Sequence, residues 1–154
     1  MKRIELDEID RRILKQLQRD CSLSLDALAE AVALSRNACW RRVKRLDGEG
    51  VITRRVAILD PKALGLGLTA LVMVKTNQHD KSWLAAFRST ISLMPEIVGA
   101  HRMSGDLDYV LRVRVASVEA YDSFYQRLIE KLPIADISAS FVMEDIKETT
   151  ELPF

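Results

Sequence analysis

The stretch LSRNACWRRVKRLDGEGVI, Leu34 to Ile52, decides how the first half of the chain folds. Ser35 can cap a helix, because its hydroxyl accepts an orphan backbone N–H of the first turn. Asp47-Gly48-Glu49-Gly50 can end it, being tolerant of left-handed backbone. Between these limits Cys39, Val43 and Leu46 fall at i, i+4 and i+7, so they share one buried face. The cations Arg36, Arg41, Arg42, Lys44 and Arg45 are then left pointing outward. They stand within ten residues of a chain whose formal net charge is only +1.

Two more helices precede this one. Asp7 caps a segment in which Ile9, Ile13, Leu14 and Leu17 recur at helical spacing, with Asp10 favourably placed in its first turn. After RDCSLS, the residues Leu25, Leu28, Ala29 and Val32 mark a short second helix, and only ALS separates it from Ser35. Three helices, a tight turn before the last, and cations on the outer side of that last helix give a helix-turn-helix. Downstream, VITRRVAIL (51–59) alternates enough to form a strand or small wing.

The charge distribution points the same way. Residues 1–60 hold 13 Lys and Arg against 10 Asp and Glu, whereas the remainder holds 10 against 12. A local basic patch on a near-neutral protein implies a localised anionic partner, and an α-helix fits the major groove of double-stranded DNA. Ser35 opens the helix; Arg36, Asn37, Trp40 and Arg41 near its amino end are candidates to read bases. Arg42, Lys44, Arg45, Arg54 and Arg55 are candidate phosphate contacts. Trp40 can equally stack on deoxyribose, touch a thymine methyl, or pack across its own helix.

Asp60-Pro61 stops the wing, and Gly65 with Gly67 loosens the chain, so residues 60–67 form a hinge between a domain at 1–59 and one at 68–154. Beyond it, LTALVMVKT reads as a strand and KSWLAAFRSTISLM as a helix with Trp83, Leu84, Phe87, Ile91 and Met94 on one side. EIVGAHRM and YVLRVRVA read as strands joined by SGDLD. VEAYDSFYQRLIEKL is a helix capped by Ser117, and DISASFVMEDI is a last strand. The order βαββαβ is a ferredoxin-like unit, making the whole chain α+β. Its helices cover one face of the sheet. Along the third strand Arg112 and Arg114 alternate with Leu111, Val113 and Val115, so the other face is half polar, which suits a symmetric subunit interface or a wet ligand site.

Composition removes several classes. No apolar run approaches the length of a membrane span, and MKRIELDEID lacks the apolar core of a secretory signal, so a cytoplasmic protein is expected. Cys21 and Cys39 form no metal or redox pair; Cys39 is either a buried small hydrophobe or a thiol switch beside the basic surface. His79 and His101 are too few for a metal motif. No nucleophile and base pairing or phosphate-binding glycine loop is present, and no cofactor is expected.

Five segments, LDEIDRRILKQLQRD, LAEAVALSRNACWRRVKRLDGEGVI, LDPKALGLGLTA, GDLDYVLRV and MEDIKETTELP, occur in the order found in the Lrp/AsnC transcription regulators, and the chain resembles that family over nearly its whole length. Cys39-Trp40 and the ending SFVMEDIKETTELP are similar to a branch that includes the enterobacterial regulator of cysteine detoxification. The resemblance implies a non-enzymatic DNA-binding regulator that forms dimers, commonly assembled into octamers. It further implies a free amino acid as effector, with cysteine one candidate, and makes 68–154 the ligand-binding and oligomerisation domain.

The resemblance also places the effector against the loop Met103-Ser104-Gly105-Asp106-Leu107-Asp108-Tyr109, with Ser138 and Ser140 from the last strand. Residue chemistry agrees, since Gly105 lets backbone N–H groups approach a carboxylate and Asp106 or Asp108 can pair with an ammonium group. The same loop also reads as an ordinary hairpin turn. Where family members often carry Gly in the turn between the DNA-binding helices, this chain has Ala33, at a cost of order 1 kcal/mol if positive φ is needed there. Two rival functions use the same architecture: a sirohaem-decarboxylase-like enzyme relying on His101, Arg102, Arg112 and Arg114, and an architectural DNA-binding protein without effector.

Overall fold

The computed structural model describes residues 4–154 and divides the chain into two compact units. The first runs to Ile58 and takes in the tail Lys147–Phe154; the second is Leu59–Ile146.

In the first unit α1 is Glu8–Arg19, α2 is Leu25–Ala31 and α3 is Arg36–Gly48. Asp7 and Asp10 form a reciprocal capping box at α1: Asp7 Oδ1 accepts the Asp10 N–H at 2.8 Å and Asp10 Oδ2 accepts the Asp7 N–H at 3.2 Å. Ser24 and Ser35 cap α2 and α3 by accepting the N–H groups of Ala27 and Ala38. Ile13, Leu14, Leu28, Ala29, Val32, Cys39 and Leu46 form the core. Val43, expected in that core, is only half-buried at its margin.

Helix α2 stops in a Schellman arrangement: Leu34 N–H donates to Ala29 C=O at 2.9 Å and Ala33 N–H to Glu30 C=O at 3.0 Å. The residue at the left-handed position is Ala33, with φ 55°. At the end of α3 the same two bonds recur, and there the left-handed position is Gly50, with φ 74°. The positive φ on which the cost at Ala33 depends is therefore present. Ala33→Gly should stabilise the first unit by about 0.5–1 kcal/mol, the relief of left-handed strain less the extra freedom of the unfolded glycine. A thermal melt checks this: Tm should rise by a few degrees, and an unchanged or lower Tm would mean that the Ala33 backbone is unstrained.

The strand expected over VITRRVAIL does not form among the described residues. A strand needs a ladder partner, and a unit built of three helices offers no sheet edge. Val56, Ile58 and Leu59 consequently stand 58%, 76% and 63% exposed. The hinge also differs from the loose linker expected. Leu66 N–H donates to Pro61 C=O at 2.7 Å and Gly65 N–H to Lys62 C=O at 3.0 Å, closing a turn in which Gly65 takes φ 71°.

In the second unit β1 (Leu68–Lys75), α4 (Lys81–Ser92), β2 (Ile97–Arg102), β3 (Tyr109–Val115), α5 (Val118–Lys131) and β4 (Asp136–Phe141) follow the expected βαββαβ order. The antiparallel sheet is ordered β2-β3-β1-β4. Ala70, Val72, Val74, Leu111, Val113 and Val115 pack from the sheet against Trp83, Phe87, Phe124 and Leu128 of the helices. The opposite face carries Leu71 and Met73 beside Val110 and Arg112 on one flank and Ser138 and Ser140 on the other. The last strand ends earlier than its alternation suggested, leaving Met143 and Ile146 96% and 92% exposed.

The tail runs along α1. The Leu152 N–H donates to Gln18 Oε1 at 2.7 Å, Gln18 Nε2 donates back to the Leu152 carbonyl at 3.4 Å, and Arg19 pairs with Glu151 at 3.4 Å.

Candidate DNA interface and ligand site

Helix α3 carries three stripes. Cys39 and Leu46 are buried in the core. Asn37, Arg41 and Lys44, at i, i+4 and i+7, lie together on an exposed stripe, flanked by Arg36 and Trp40. Trp40 is half exposed and lies under the Lys44 ammonium group, whose Nζ stands 4.8 Å from the ring centroid. Arg36 reaches Asp26 on α2 at 3.1 Å, with both side chains largely in solvent, where such a pair contributes little.

Arg42 and Arg45 make the third stripe, and it faces α1. Arg42 Nη1 donates to Asp7 Oδ2 at 2.6 Å and to Asp10 Oδ1 at 2.8 Å, while Arg45 Nη2 pairs with Asp10 Oδ2. The hydrogen bond from the Asp10 N–H, and after it that from Arg42, holds the Asp7 carboxyl below the usual carboxylate range. Arg42 is raised in turn, first by its bond to Asp7 and then by that to Asp10. Arg55 Nη2 sits 3.1 Å from both carboxylate oxygens of Asp47. Of the residues expected at phosphates, only Lys44 and Arg54 have no carboxylate partner among the described residues; Ser35 spends its hydroxyl on the α3 cap.

The loop between β2 and β3 is closed by the Met103 N–H donating to Asp108 C=O at 2.8 Å. Met103, Ser104, Gly105 and Asp106 are exposed, and Gly105 sits at φ 107° with open space where a side chain would stand. Leu107 is half-buried. Asp108 Oδ2 accepts the Thr76 N–H at 2.8 Å, and Oδ1 lies 3.8 Å from His79 Nδ1, so this carboxylate ties the loop to the end of β1. Tyr109 belongs to the core, its ring 4.2 Å from Phe87 and 5.3 Å from Trp83. Ser138 and Ser140 are exposed on β4, opposite Met73 and Leu71. Strand β1 lies between β3 and β4, so two strand spacings, about 10 Å, keep the serines from the loop strand.

Sequence reasoning missed Thr76 and His79 as the partners of Asp108. It also missed a cleft of about 300 Å³ between α4 and β2, lined by Leu84, Phe87, Arg88, Ile91, Ala100 and Arg102 among others. Arg102 pairs across the ladder with Tyr109 on the helix side, while Arg112 pairs with Leu71 on the open face, so the decarboxylase set is divided between faces. Cys39 is fully buried and burial pushes its thiol up, which disfavours the reactive thiolate. No helix among the described residues is long and apolar enough to cross a membrane.

A model of the Lrp/AsnC ligand-binding domain matches residues 69–152, and a winged helix-turn-helix DNA-binding model matches residues 6–53. The chain is 50% identical over 149 residues to the DNA-binding transcriptional activator DecR of Escherichia coli K12, covering 96% of this chain and 98% of that protein. It is similar to the crystal structure of an AsnC family transcriptional regulator from Agrobacterium tumefaciens, with TM-score 0.93, 48% identity, and coverage of 96% of this chain and 97% of that one. A Neisseria meningitidis transcriptional regulator solved as a complex with L-methionine matches with TM-score 0.93 and 33% identity over 97% of each chain. With its two units matched in order and a full-length relative at half identity, the chain belongs to the Lrp/AsnC family of DNA-binding transcriptional regulators.

Proposed function

We propose that this chain reads a specific duplex sequence with α3 and that a free amino acid, bound at the second unit, changes that reading. The observation that carries the first half is the exposed stripe of Arg36, Asn37, Trp40 and Arg41 at the amino end of a helix delivered by a tight turn. Asn and Arg have the donor geometry for adenine and guanine edges, and Lys44 and Arg54 supply charge for phosphates. The second half draws support from the neisserial relative with its bound L-methionine and from the carboxylates beside Gly105. Cysteine and methionine are the first effectors to test.

The loop and the two serines stand apart within one chain, so the effector site is completed by a second copy. The open sheet face, with Leu71 38% exposed, suits a homodimer able to build larger assemblies. Like the relative named as a DNA-binding transcriptional activator, it would act on DNA in the cytoplasm and not as an enzyme. Residues 1–59 then form the DNA-binding domain, to which the tail 147–154 returns, 60–67 the hinge and 68–146 the effector and assembly domain, which is shorter at its end than the expected 68–154. The effector acts by binding two oligomeric arrangements unequally.

Asp108→Asn tests the site cleanly, because the amide oxygen can still accept the Thr76 N–H while the charge for an ammonium group is lost. The effector concentration needed for half-maximal response should rise about tenfold or more, the worth of a charged hydrogen bond, with effector-free DNA affinity within about twofold. A response at the wild-type concentration would place the effector elsewhere.

A further inference from the structure

Asp10 is a carboxylate with 1% of its side chain exposed, and three donors converge on it: the Asp7 N–H, Arg42 and Arg45. A buried carboxylate is costly unless partners of this kind stay in place. The partners are two residues of the DNA-reading helix. They stand at i and i+3, on a flank turned about 100° from the stripe of Asn37, Arg41 and Lys44, that being the rotation per residue of an α-helix. Arg42 is the more committed, its side chain 29% exposed against 41% for Arg45, and one of its nitrogens spans both Asp7 and Asp10.

We propose that Asp10 is a positioning residue for DNA reading. With Asp7 it withdraws Arg42 from phosphate contact and fixes the rotation of α3 about its own axis, and so which side chains enter the groove. The capping box contributes to this device, since it sets the Asp7 and Asp10 carboxylates at the start of α1 where both can meet Arg42. Four of the five cations of the α3 cluster thus divide by function: Arg41 and Lys44 face the nucleic acid, while Arg42 and one side of Arg45 hold the helix. This inference rests on α3 being the DNA-reading helix.

The test uses the full chain and a duplex selected by the wild-type protein from a randomised pool, with a random-sequence duplex of equal length as control. Lys44→Ala should flatten the dependence of log K on log salt by about 0.9 on both duplexes, as one lost phosphate contact does. Arg42→Ala should leave the slope unchanged and lower the ratio of selected to random affinity about tenfold or more. Asp10→Asn, which keeps nearly the same shape but removes the charge and replaces one of the two accepting oxygens by a donor, should lower that ratio likewise and steepen the slope, because it frees guanidinium groups to meet phosphates. A merely structural defect would lower the folded fraction, and with it both affinities equally, without moving the slope. If Arg42→Ala flattens the slope by the same amount as Lys44→Ala and leaves the ratio intact, Arg42 is a phosphate contact and the proposal is overturned. A pool that yields no enriched duplex with the wild-type protein overturns the DNA-reading assignment itself.

Discussion

Leu46→Ala is expected to destabilise the first unit by about 2–5 kcal/mol, the range for truncating a fully buried leucine in a core that cannot close around the gap. Leu46 is 0% exposed, and its carbonyl also accepts the Val51 and Ile52 N–H groups at 2.9 and 3.2 Å as α3 ends. The truncation therefore opens a cavity where the end of the reading helix is fixed. Since domain stabilities are typically about 5–15 kcal/mol, a loss of this size removes a large fraction of the margin. Urea unfolding followed by circular dichroism measures it, and sequence-specific binding should fall in step with the folded fraction. A loss below about 1 kcal/mol would mean that the site collapses and that α3 is held mainly by its ion pairs.

Arg41→Ala should cost about 1–3 kcal/mol on the selected duplex and relax the preference at one position, because a bidentate base contact is lost. Lys44→Ala should weaken all duplexes alike. The difference follows from the shape of each cation and from its surroundings. Lys44 sits as a point charge over Trp40, whereas Arg41 is exposed on the same stripe and free to fork towards a base edge. Equal losses on selected and random duplexes for both variants would overturn this division of roles.

How much of this was legible in the sequence depends on how local the cause is. Helix starts were legible because a capping serine or aspartate acts within three residues, as Asp7, Ser35 and Ser117 do. The core stripes followed from spacing, and Ala33 could be flagged because a left-handed backbone is a property of one residue. The strand expected over 51–59 does not form, because alternation describes a face but not a pairing partner. Tyr109 resembles a loop residue in sequence but its ring fills the space beside Phe87, which lies 22 positions away.

The charge cluster on α3 shows the same limit more sharply. Arg41 and Arg42 are adjacent and chemically identical, yet one faces solvent and the other spans Asp7 and Asp10. A helical wheel separates them only once α1 is known to pack on that flank. The spacing of Asp7 and Asp10 did signal a helix start, but nothing in linear order showed that the same carboxylates would meet cations 32 to 35 residues away. The return of the tail to Gln18 and Arg19 is of the same kind, a contact across more than 130 positions.

The most direct test of a ligand-responsive regulator is titration of free amino acids, cysteine and methionine first, into the complex of the full chain with its selected duplex at fixed salt. At least one amino acid should shift the DNA dissociation constant by about 5–150-fold, the usual span of a coupling between two sites. Tight, sequence-specific binding that no amino acid alters would contradict the account and leave an architectural DNA-binding protein without effector.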